Sequence, residues 1–242
     1  MRAGEHVTTA TDPATTGPRI PLSKERVLRA AIAVADQGGL EALTMRKLAQ
    51  ELGVEAMSLY YHVTNKDQVL DGVVDVIVSE INDAVSRLQA PTGADDWKKS
   101  MRMKILTARK ILLQHPWAPE VIEARTTMSP SIMSYFEEVL GVFRSGGFSF
   151  DQAHHAMHAL GSRALGFSQE LFKPDSGDAG ADDTAAALFE QMASRLPNLV
   201  GMMSEIAHND PDSTLGWCDD QTEFEFGLDL ILDGLDKLRR PA

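Results

Sequence analysis

The spacing Ala49, Gly53, Val54, Leu59, Val63 constrains this chain more than any other feature. A small residue at Ala49 lets a following helix cross close to the one that carries it. Gly53, four residues on, supplies a turn position where positive φ costs little. Val54, Leu59 and Val63 then act as apolar anchors for the second helix. This is the pattern of a helix-turn-helix. The side chains left outside it are Glu55, Ala56, Met57, Ser58, Tyr60, Tyr61 and His62. They combine donors, methyl groups and aromatics, the types that meet base edges and phosphates. Of the two adjacent tyrosines, one is expected to pack inward beside Leu59 and the other to face out.

The surrounding pattern is helical, with no strand alternation. Val27, Ala30, Ala31, Val34 and Ala35 repeat at helical spacing, with Ser23 as N-cap and Gly38-Gly39 as the expected stop. Thr44 caps a second helix over 45–52, and a short third covers about 55–61. Asn65 with Gln68 opens a fourth, whose apolar stripe is Leu70, Val73, Val74, Ile77, Ile81, Val85 and Leu88. Further helices are expected near 95–114, 117–125, 130–146, 150–173, 183–200 and 220–239. Ser129-Pro130 and Ser149 with Gln152 read as helix starts. Acidic and turn-rich stretches at 174–183 and 209–216 break the pattern. The expected fold is all-α. Residues 1–20 form a disordered arm, 21–66 the helix-turn-helix domain, and 67–242 a helical regulatory and dimerisation domain.

Charge is distributed unevenly over these parts. Residues 1–66 hold eight Lys and Arg against seven Asp and Glu, whereas the remainder holds 15 against 28. An acidic body repels DNA, so only the near-neutral head is suited to meet it. Cys218 is the only cysteine, which excludes an intramolecular disulfide and fits a reducing cytoplasm. The strongest apolar run, VVDVIV at 73–78, is too short to span a bilayer, and the first residues carry no signal-peptide core. No membrane partner is expected.

The stretch LTMRKLAQELGVEAMSLYYHVTNKDQVLD, residues 43–71, resembles the DNA-binding domain of TetR-family regulators, the tetracycline-repressor branch above all. The shared elements are Arg-Lys-Leu-Ala-Gln, Leu-Gly-Val, Leu-Tyr-aromatic-His-Val and Asn-Lys, within a similarity from Pro21 to Ile81. SGGFSFDQAHHAMHALGSRALGFSQELF and EFEFGLDLILDGLDKL resemble the regulatory domain more weakly. The resemblance implies a homodimeric repressor, not an enzyme, that binds a palindromic operator and is released by a small-molecule effector, with no cofactor. It implies that Arg46 reads a guanine and that Ala56, Met57 and Ser58 face bases. Thr44, Tyr60, Tyr61, His62 and Lys66 match positions at or beside phosphates. Physical chemistry agrees in part: Arg bonds guanine O6 and N7 bidentately, worth about 1–3 kcal/mol of discrimination. Lys66 stands at the positive end of a helix, a favourable place for phosphate. The branch carries glutamine where Ala56 stands and proline where Met57 stands, so the operator is expected to differ. Its magnesium-binding histidine falls near Ile122, which argues against a magnesium–tetracycline effector.

Two readings of the second half compete. Its abundant methionine suits an adaptable apolar cavity between helices. Effector contacts are expected among Met101, Ile105, Trp117, Met133, Phe136, Met157, Leu160, Phe167 and Phe172. In the resembling family, the helices at 150–173 and 220–239 pair with their symmetry mates in a four-helix dimer interface. The alternative is a helical-bundle metal-binding protein or metalloenzyme. It rests on His154, His155 and His158, of which His154 and His158 share a helix face, and on Glu205 with His208.

Overall fold

The computed structural model describes residues 21–91, 93–166, 194–198, 200–201 and 220–239. Its helices include α1 Lys24–Ala42, α2 Met45–Leu52, α3 Ala56–Leu59, α4 Lys66–Ser86, α5 Trp97–Leu112, α6 Ala118–Ala124, α7 Pro130–Ser145, α8 Phe150–Gly166 and, near the end of the chain, α9 Asp220–Leu238. A 3₁₀ turn at Ala94–Asp96 leads into α5, and no strand occurs among the described residues. The expected arm at 1–20, the breaks at 174–183 and 209–216, most of the helix at 183–200, Glu205, His208 and Cys218 lie outside the described residues.

Side-chain caps set the helix starts. Ser23 accepts the Arg26 N–H at 3.2 Å, Thr44 that of Lys47 at 3.1 Å, and Asn65 that of Gln68 at 2.8 Å. Gln68 reaches back to the Thr64 N–H at 2.6 Å, one residue earlier than a standard capping box. Ser149 and Gln152 exchange bonds at 2.9 and 3.1 Å, a complete box. Each cap satisfies an amide that the helix cannot, worth about 1 kcal/mol. Two boundaries depart from expectation. Gly39 breaks the helical geometry with φ 72° and ψ 178°, yet helical turns resume and carry α1 to Ala42. α3 closes at Leu59 because the chain tightens there: the N–H groups of His62 and Val63 both return to the Leu59 carbonyl.

The described residues form two apolar cores. One joins α1, α2 and α3 through Val27, Leu48, Leu59 and Val63 to Val69, Val73 and Ile77, and continues to Leu112 and Trp117. The other gathers Trp97, Met101, Phe143, Phe148, Phe224 and Leu228 from α5, α7, α8, α9 and the turn before α8. Trp97 meets Phe148 edge-on at 4.7 Å between centroids, and its Nε1–H donates to Asp236 at 3.0 Å. Close approach of α1 to α4 depends on Gly72, where a Cβ would lie 2.5 Å from Leu28 Cδ2. α4 therefore carries the first core from the head into the body, from Val69 and Val73 to Val78, Ile81 and Val85 beside Ala108, Leu112 and Val121.

Candidate nucleic-acid interface and effector cavity

The turn between α2 and α3 forms as the spacing requires. Gly53 is left-handed at φ 65° and ψ 36°, and its N–H and that of Val54 return to carbonyls of α2. Ala49, Leu59 and Val63 are buried, while Val54 is half-buried. With the anchors inside, Arg46, Met57, Tyr60 and Tyr61 are exposed, and Ala56, Ser58 and His62 are half-buried. Met57 keeps 72% of its area and Tyr61 88%, a large exposed apolar and aromatic surface. Tyr60 is 45% exposed, so both tyrosines face out, against the expectation that one packs inward. Leu59 alone fills the space beneath them. Thr44 is exposed, its oxygen engaged as the α2 cap with the O–H still able to donate. Lys66 opens α4 and donates to the Leu40 carbonyl at 3.4 Å, which holds the ammonium at the helix end.

A polar clasp joins this head to the body. Asp36 of α1 accepts two bonds on one carboxylate oxygen, from Trp117 Nε1–H at 2.7 Å and from His115 Nδ1 at 2.8 Å. Arg125, at the end of α6, pairs with Asp71 at 3.2 Å and Asp67 at 3.6 Å on α4. Trp117 is thus committed to the α1 contact and does not line the body's cavity, which corrects its expected role as an effector contact.

That cavity has a volume of about 170 Å³ and lies between α4, α5, α6, α7 and α8. Met101, Ile105, Phe136, Met157 and Leu160 are among the residues that line it. Met133 is not: it is 51% exposed on the outer side of α7. Phe167 and Phe172 lie outside the described residues. Sequence reasoning missed Val78 and Ile81 of α4, Ala108 and Leu112 of α5, and Ile132, Tyr135 and Val139 of α7. They are apolar residues in helical register, and register does not distinguish a cavity wall from solid core. Ile122 is also part of the wall, a hydrocarbon side chain facing an apolar space.

His154, His155 and His158 are exposed on α8. The rings of His154 and His158 meet edge-on with centroids 4.6 Å apart, and His155 reaches Asp151 at 3.8 Å. Among the described residues no group of three or more His, Cys, Asp or Glu side chains is disposed to hold a metal ion. On α9, Phe224, Leu228 and Leu232 are spent inside the protomer. Its outward apolar residues include Phe226 and Leu230, at 63% and 59% exposure, which the sequence reading did not single out.

Residues 27–73 match the family described as bacterial regulatory proteins, tetR family, and residues 90–239 match the tetracyclin repressor-like C-terminal domain. The HTH-type transcriptional repressor DrrR1 of Streptomyces coeruleorubidus is 30% identical over 224 residues, which cover 92% of this chain and 80% of that protein. The tetracycline repressor protein class C of Escherichia coli is 29% identical over 221 residues, 90% of this chain and 92% of its own. The structure of ActR from Streptomyces coelicolor in complex with actinorhodin superposes with a TM-score of 0.68 at 27% identity, covering 92% of this chain and all of that one. These relationships favour the regulator over the metalloenzyme. An exposed helix-turn-helix surface, an apolar cavity behind it and matches across both halves make this chain a member of the TetR family, a DNA-binding transcriptional regulator with a helical ligand-binding domain.

Proposed function

We propose that the chain acts in the cytoplasm as a homodimeric repressor, without catalytic activity, that leaves a palindromic operator when a small, largely apolar effector fills the cavity. The observation that carries this reading is the position of α4. The helix begins beside the exposed α2–α3 surface, and its residues Val78 and Ile81 form part of the cavity wall. In this reading, residues 21–66 are the DNA-binding domain and residues 67–242 the regulatory and dimerisation domain, with α4 coupling the two. Arg46, Ala56, Met57 and Ser58 face bases, and Thr44, Tyr60, Tyr61, His62 and Lys66 lie at the backbone. A second copy covers the outer faces of α8 and α9, where Phe226 and Leu230 stand exposed beside the three histidines. Two-fold symmetry then presents two α3 helices about one DNA turn apart. ActR, solved with actinorhodin, supports a small-molecule effector for this fold.

The test is selection from a pool of random duplexes across a salt series, with wild type and Arg46→Ala side by side. Wild type is expected to enrich a palindrome. Arg46→Ala is expected to lose preference at one base pair of each half-site, about 1–3 kcal/mol per site. A folded dimer that enriches nothing at low salt refutes the proposal.

A further inference from the structure

Among the described residues, the cavity wall has one hydrogen-bonding side chain. Every lining residue other than Tyr135 is Val, Ile, Leu, Met, Ala, Phe or Gly. Tyr135 packs its ring at 6.4 Å from that of Phe136, between centroids, and no hydrogen bond to its hydroxyl occurs among the described residues. Burial, and after it the nearby Glu138 carboxylate, push the phenol up to about 12. It therefore remains a neutral donor at any physiological pH. The Glu138 charge is itself taken up by Lys104 at 2.8 Å. Among the described residues no Arg, Lys or His belongs to the wall, so none of them would compensate a carboxylate or phosphate. Tyr135 is half-buried, and a ligand that supplies an acceptor to its hydroxyl gains a hydrogen bond that the apolar wall does not offer.

We propose that Tyr135 is the specificity-determining residue of this cavity, and that it selects an uncharged, compact ring compound bearing one hydrogen-bond acceptor, such as a ring ketone. The volume suits a small ring system, because a cavity of about 150 Å³ already holds a benzene ring. The thioethers of Met101 and Met157 allow the wall to adapt to substituents. Tyr135 of α7 lines the same cavity as Val78 and Ile81 of α4. A ligand anchored at the phenol therefore shares its site with the helix that begins at the DNA-binding head. The inference rests on the reading of this cavity as the effector site.

The test is calorimetric titration of the full-length protein with 1-indanone, with indane as the same skeleton lacking the acceptor, and with indane-1-carboxylate as an anion. Wild type is expected to bind the ketone at least tenfold tighter than the carboxylate. In Tyr135→Phe the ketone weakens about fivefold, the factor for one neutral hydrogen bond, while indane is unchanged. Retained indane binding also reports that the variant cavity is intact. A variant in which ketone and hydrocarbon lose affinity equally overturns the assignment of Tyr135. Binding of the carboxylate as tightly as the ketone, or of neither neutral compound to wild type, overturns the ligand class. Duplex selection on the same preparation separates the two proposals: a protein that enriches a palindrome but ignores both neutral compounds keeps its regulatory reading and loses this one.

Discussion

Trp117→Phe is expected to weaken the hold of the body on the DNA-binding head. The substitution removes the indole N–H that Asp36 accepts at 2.7 Å, and leaves the same carboxylate oxygen with His115 at 2.8 Å. A hydrogen bond to a charged acceptor contributes about 1.5–3 kcal/mol. The lower end applies, because the Asp36 side chain is 31% exposed and water replaces the lost donor. The smaller phenyl ring also abandons about 40 Å² of apolar contact, about 1 kcal/mol. The total, about 2.5 kcal/mol, lowers Tm by about 5–10 °C for a chain of this length. Packing loss alone would mimic part of this, so the decisive measurement is a double-mutant cycle with Asp36→Ala. Urea unfolding of the four proteins, followed by circular dichroism at one protomer concentration, isolates the pairwise contribution. The loss in the double variant should fall short of the sum of the single losses by about 1.5 kcal/mol. Additivity within about 0.5 kcal/mol would show that the indole N–H does not hold the head.

Gly72→Ala places a methyl 2.5 Å from Leu28 Cδ2 in the α1–α4 contact, so overpacking of about 1–3 kcal/mol outweighs the helix-propensity gain of about 1 kcal/mol. In a Leu28→Ala background the obstacle is gone, and the same substitution should become stabilising in urea unfolding; an unchanged sign would refute the steric account. Asp236 is held below the ordinary carboxyl value of 3.8, first by the Trp97 N–H and then by the charges of Lys98 and Arg239. A lowered carboxyl stabilises the fold above its unfolded value and loses that contribution as pH falls through the folded one. Asp236→Asn should therefore cost most at neutral pH and converge on wild type in acid, and a gap that stays constant with pH would exclude this linkage.

Local chemistry made the head legible. Ser23, Thr44 and Asn65 each announce a helix start, and Gly53 a left-handed turn, because each depends on residues within three or four positions. The cavity was half legible. Met101, Met157 and Leu160 combined helical register with adaptable side chains, but Trp117 has the same character and serves a contact with Asp36, 81 positions away. Nothing near Trp117 in the chain encodes that partner. Tyr60 and Tyr61 were misjudged for a related reason. The single turn of α3 turns Leu59 fully inward and packs Ala56 against the same core, which leaves both tyrosines outside. Gly39 shows the opposite limit: a glycine that can stop a helix need not, where Leu40 and Ala42 still have apolar neighbours to pack against.

The sharing of α4 explains how a cavity of this size can govern DNA binding in the proposed mechanism. From Lys66 to Ile81 the helix rises about 22 Å. A tilt of about 5° at the cavity end moves its first turn by about 2 Å over that length. The first turn is not free to lag behind, because Val69 and Val73 are packed into the same core as Val27 and Leu59. The head must follow α4 as a body, and Arg125 adds a charged link from α6 to Asp67 and Asp71 on the same turns. A shift of about 2 Å in opposite directions in two subunits changes the separation of the recognition helices by about 4 Å, against a half-site spacing of about 34 Å. Phosphate and base contacts made at about 3 Å do not survive such a change in both half-sites at once. An effector therefore need not touch the head. It need only fit better against Val78 and Ile81 in the tilted arrangement, and linkage then requires operator DNA to weaken effector binding by the same factor.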